Sequence, residues 1–158
     1  MTIGAGIALA TLAACGGGGG PSYDPESPEG MAYEYRQAVM RLAQSKMMLI
    51  TQMAREQIPL DEAAFVQATA DIAALARMMP AGFDNETLVA ESLTEPSVFE
   101  DRADFDRRMN ALIQATDALA EAAESGGFEG ARGLVTASIG TFSNCGGCHS
   151  SYRQDEEE

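Results

Sequence analysis

From Gly30 to Arg153 the apolar residues recur at steps of three and four, which is the period of a helix with one buried face. Proline and glycine cut this run into four parts. The first helix is expected from about Glu29 to Gln57, with Tyr35, Val39, Leu42, Lys46, Leu49 and Met53 on one stripe and Met40, Met47 and Ile50 beside it. Pro59 ends it, because proline cannot continue the hydrogen-bond ladder. Asp61 is placed to cap a second helix, which uses Phe65, Ala68, Ile72, Leu75 and Met79 and stops at Pro80. Residues 80–96 lack a clear period and read as the one long connection. The third helix follows Pro96 with Phe105, Met109, Leu112, Thr116, Leu119 and Ala123. Ser125-Gly126-Gly127 turns the chain, and the fourth helix runs from Phe128 through Ala131, Leu134/Val135, Ser138/Ile139, Phe142 and Cys145 to His149. Aromatic residues are 6% of the chain and Trp is absent, so small-residue helix packing suits this core better than strands do. The expected fold is all-α, an antiparallel up-down four-helix bundle.

The two ends of the chain read differently. Residues 1–14 (MTIGAGIALATLAA) are uninterruptedly apolar or small; as a helix at about 1.5 Å per residue they span roughly 20 Å, short of the ~30 Å of a hydrocarbon core. They read as a signal peptide, although the first basic residue is only Arg36. Leu12-Ala13-Ala14-Cys15 resembles the lipobox of bacterial lipoproteins, which implies cleavage before Cys15 and its lipidation. Residues 15–28, with five glycines and then Pro21, Pro25 and Pro28, read as a tether between a lipid anchor and the 29–154 bundle. Residues 155–158 form an acidic tail. A net charge of −14 argues against nucleic acid as a partner and against holding an anionic membrane surface by charge. It suits a redox partner with a basic docking surface.

Cys145-Gly146-Gly147-Cys148-His149 is the C-x-x-C-H arrangement of covalent haem attachment. On a helix, positions 145, 148 and 149 share a face, so two thiols can join the vinyl groups of one porphyrin while the imidazole reaches the iron. Other uses of C-x-x-C fit less well. A thiol redox site usually opens a helix beside a sheet, and a zinc site would need ligands that the chain does not supply. His149 is the single histidine. The haem, lying near one end of the bundle, therefore has Met, Lys, solvent or nothing as its sixth ligand. Covalent haem attachment and export both indicate the periplasm.

These features resemble the cytochrome c′ family, the class II c-type cytochromes. The resemblance covers about residues 29–153 and rests on Tyr35-Arg36-Gln37-Ala38-Val39-Met40, on Leu75 to Phe83, on Pro96-Ser97-Val98-Phe99, and on Cys145 to Arg153. It implies haem c held by Cys145 and Cys148, His149 as proximal ligand and Met40 at the distal position. It also implies Arg36, beside Tyr35, near a propionate or the distal pocket, and Arg153 next to the proximal histidine. Family members divide between open-iron proteins that bind NO or CO and Met-ligated, low-spin electron carriers. Thioether ligation raises the potential. Met40 favours the electron carrier, with gas binding as the alternative; Met47 and Met48 lie near enough in sequence to compete as ligand. Nothing supplies a nucleophile–base pair, so no enzymatic turnover is expected. Homodimerisation through the first two helices, as in many relatives, is left open.

Overall fold

The computed structural model describes residues 21–141 and 145–154, with side chains for all of these except 138–145. The signal segment, Cys15, Phe142 and the acidic tail lie outside the described residues. Helix α1 spans Pro28–Ala54. Ser27 caps it by accepting from the Gly30 amide, and Pro28 stands in its first turn, where a missing N–H costs nothing. It ends before the expected Gln57. Glu56 takes a left-handed φ of 57°, and the Gln57 amide reaches back to the Gln52 carbonyl. The chain thus turns several residues ahead of Pro59, satisfying the helix's last carbonyls as it does so.

Helix α2 spans Glu62–Met78, capped by Asp61, whose carboxylate accepts from Ala64 at 3.0 Å. A 3₁₀ turn, Met79–Phe83, continues from it and contains Pro80. The chain after Pro96 forms a four-residue helix, α3 (Ser97–Glu100), and kinks at Asp101 before α4 (Arg102–Thr141). Two arms of α4 supply the third and fourth helices of the bundle. They fold apart at Gly127, where φ is 59° and ψ −153°, a region that essentially only glycine occupies. Glu62 holds this corner by accepting from the Phe128 amide at 2.9 Å. Residues 142–144, through which the fourth helix is expected to continue to His149, lie outside the described residues. Helix α5 spans Cys145–Tyr152.

Packing divides into two apolar clusters. One joins Ile50, Met53, Phe65, Ile72, Leu119, Phe128 and Val135, with Phe65 and Phe128 edge to face at 5.2 Å. The other joins Val39, Ala43, Leu75, Met79, Phe83, Val98, Phe105, Met109 and Tyr152. Its rings meet in a chain, Phe83 to Phe105 at 4.8 Å and Phe105 to Tyr152 at 5.4 Å. Leu42, expected on the inner stripe, is exposed, and Lys46 reaches out to Asp71 on α2 at 2.7 Å. Residues 21–27, the end of the expected tether, lie against the body: the Ser22 amide donates to Glu91 at 3.1 Å, and Tyr23 packs edge to face on Tyr33. Among the described residues, no helix is long and apolar enough to cross a membrane.

Candidate functional site

Three of the residues singled out from the sequence, Tyr35, Met40 and Cys148, pack against the second cluster. Cys148 and Met40 are both half-buried and pack against it, together with Tyr35, Phe99, Leu112 and Ile113. The two other methionines weighed as sixth ligand lie elsewhere. Met47 packs on the opposite cluster, and Met48 is exposed. Of the three, only Met40 shares an apolar environment with the C-x-x-C-H helix.

Helix α5 carries two adjacent glycines, Gly146 and Gly147, which weaken it locally. Its end is tied down by the backbone: Glu95 donates to the Tyr152 carbonyl at 3.0 Å and Gln154 to that of Leu93 at 2.8 Å. An isolated bridge pairs Thr94 with Arg153. Further in, Arg108 Nη1 donates to the Gly147 carbonyl at 2.5 Å, and the Tyr152 hydroxyl donates to Asp104 Oδ2 at 2.8 Å. His149, four residues after Cys145 in the same helix, presents an open surface. Protein atoms around its ring still exclude some water, and this, with the nearby positive charge of Arg153, holds its pKa below the ordinary imidazole value. A depressed pKa keeps the ring neutral, the state in which imidazole ligates metals.

Arg36 is the unusual group. It is 5% exposed, with Nη1 donating to the Gly82 carbonyl at 2.8 Å and its guanidinium 5.6 Å from the Phe83 ring centroid. Burial lowers its pKa. Gly82 makes room for this approach: a Cβ there would stand 2.7 Å from Arg36 Cγ. The neighbouring Tyr35 hydroxyl donates to the Met78 carbonyl at 2.9 Å, fastening α1 to the same turn. Arg36 Nη2 is buried with no hydrogen-bond partner. A buried donor left unmade costs about 1–3 kcal/mol, so an orphaned cation here is a place for an anionic group of a ligand. A haem propionate is such a group, and the residues present fit it.

Asp104 and Arg108 were not anticipated as site residues. Their sequence signal, an acid four residues ahead of a base, also marks any solvated helix face. Among the described residues, no three His, Cys, Asp or Glu side chains cluster as a metal site.

A helical bundle with C-x-x-C-H on a terminal helix and an apolar cluster beside it defines a haem protein of the c type. The sequence profile of the family described as Cytochrome C′ matches residues 31–153. Cytochrome c prime from Shewanella frigidimarina is 30% identical, with a TM-score of 0.73 over 82% of this chain and 98% of its own. Cytochrome c′ from Rubrivivax gelatinosus is 25% identical, with a TM-score of 0.72 over 82% and 98%. The nitrosyl complex of a variant of cytochrome c prime from Alcaligenes xylosoxidans is 25% identical, with a TM-score of 0.71 over the same shares. A comparison with curated protein sequences gives no match. The chain belongs to the cytochrome c′ family, whose members are periplasmic and carry covalently bound haem c with its iron.

Proposed function

We propose that this cytochrome c′ binds NO or CO at the distal face of its haem iron, and that Met40 lines that face without ligating it. The similarity to a cytochrome c prime in its nitrosyl complex carries this reading and favours it over the Met40-ligated electron carrier. Haem supplies an iron centre that binds diatomic ligands when its sixth site is open. The chain supplies the rest. Cys145 and Cys148 hold the macrocycle by thioether bonds, and His149 is the proximal ligand. Arg36 neutralises a propionate, and Arg153 biases the imidazole through its charge. Met40, half-buried in an apolar cluster, excludes water from the distal side and limits the size of what enters. Cys15, which lies outside the described residues, anchors the protein by lipid, and acidic surface residues meet a basic redox partner that resets the iron.

The electron-carrier reading has one observation in its favour, that Met40 and Cys148 share a cluster. Absorption spectra of the full chain, matured with covalent haem, separate the two readings. A broad ferrous spectrum that shifts promptly with CO, and a faster CO association in Met40→Ala, are the results expected. A sharp, split ferrous band unmoved by CO, which Met40→Ala converts to a CO-binding form, would establish Met40 as the sixth ligand and electron transfer as the function.

A further inference from the structure

We infer that Asp104, Arg108 and Tyr152 form a latch that grips the backbone of α5 between the two haem cysteines and holds two opposed charges beside the motif, so that loss of either charge shifts the reduction potential of the iron. This rests on the assignment of Cys145, Cys148 and His149 to the haem.

The three side chains close a ring. Arg108 Nε donates to Asp104 Oδ2 at 2.6 Å, and Tyr152 donates to the same oxygen at 2.8 Å. The Arg108 guanidinium stands 5.7 Å from the centroid of the Tyr152 ring. Its remaining arm reaches the Gly147 carbonyl at 2.5 Å. Gly147 directly precedes Cys148 and His149, so the arginine holds the peptide from which the attachment residues project. Charge-assisted bonds of this kind are about twice as strong as neutral ones, and planar guanidinium fixes direction as well as distance. Arg107 also pairs with Asp104, from a more exposed position.

A latch of charged groups does more than hold. Reduction adds an electron to the haem, so a nearby cation favours the ferrous state and a nearby anion opposes it. Arg108 and Asp104 lie on the same α4 turn beside the motif and pull in opposite directions. Each offsets the other at the haem. Loss of one exposes the other, which a merely structural support would not do.

The test is spectroelectrochemical titration of the full, haem-loaded chain as wild type, Arg108→Gln, Asp104→Asn, the double variant and Arg108→Lys. The midpoint is expected to fall in Arg108→Gln, rise in Asp104→Asn, and return towards wild type in the double variant; Arg108→Lys keeps the charge and stays near wild type. Hydrogen exchange of the α5 amides in the apo chain should quicken in both single variants. Shifts in the same direction for the two single variants, or none, would overturn the proposal. Should Arg108→Gln not fold, Asp104→Asn decides alone, an upward shift supporting the latch and any other result refuting it. Absence of covalent haem from the wild-type chain would overturn the motif assignment, and the potential-setting role with it.

Discussion

Gly127→Ala is expected to destabilise the bundle at the corner where its third helix becomes its fourth. Two costs combine. An L-residue at φ 59°, ψ −153° occupies a region close to forbidden, which costs about 1–3 kcal/mol. The new Cβ would also stand 2.8 Å from Glu62 Oε2, displacing the carboxylate that caps the second arm through the Phe128 amide. Loss of that cap adds about 1 kcal/mol. The sum, about 2–4 kcal/mol, corresponds to a fall in Tm of roughly 5–12 °C for a chain of this size. Denaturant and thermal unfolding followed by far-ultraviolet circular dichroism measure it, with Gly133→Ala as control. Nothing lies within 4 Å of a Cβ at Gly133. The control should therefore gain about 0.5–1 kcal/mol from reduced backbone freedom. A loss below about 0.5 kcal/mol for Gly127→Ala, the range of ordinary surface changes, would refute the reasoning. So would an equal loss in the control.

Two further outcomes follow from the haem end. Arg36→Leu removes the donor to the Gly82 carbonyl, at a cost of about 1–3 kcal/mol, and also the cation offered to a propionate. Haem loading should then raise the Tm of the variant by less than it raises that of wild type; equal increments would show that Arg36 serves the protein fold alone. Asp104, held by Arg108 first and Tyr152 second, has its pKa lowered to about 2 from 3.8. A depressed carboxylate pKa gives stability that is present above the unfolded value and is lost as pH falls through the folded one. The Tm advantage of wild type over Asp104→Asn should accordingly be constant above about pH 4 and shrink towards pH 2. An advantage that persists unchanged at pH 2 would contradict the assignment of that shift to Asp104.

Much of this architecture is legible in the residues, and where it is not the reason is physical. Asp61 and the Ser125-Gly126-Gly127 turn are local devices, and each does in the structure what its chemistry predicts. The end of α1 was misplaced because a proline marks only where a helix cannot continue, while Glu56 ends it sooner in a left-handed turn that few non-glycine residues adopt. At the site, Cys148 and Met40 pack against one apolar cluster, and each carries its own spacing or motif in the sequence. The grip of Arg108 on Gly147 could not be read, since its acceptor is a backbone carbonyl 39 residues away and no side-chain pattern records it. The buried, unpartnered Nη2 of Arg36 is likewise a fact of three dimensions, made when Gly82 lets the 3₁₀ turn close over α1.

The two apolar clusters also set an order of assembly. The one around Phe65 and Phe128 draws its buried members from residues 50–135, and none of them belongs to α5. All of them precede Cys145 and Cys148 in the sequence. The other cluster includes Tyr152 and is complete only when α5 is seated. Half of the bundle can therefore be complete while the attachment helix still hangs open, with its thiols accessible to the maturation machinery. Seating of Tyr152 against Phe105 and Asp104 then completes the second cluster around the attachment helix.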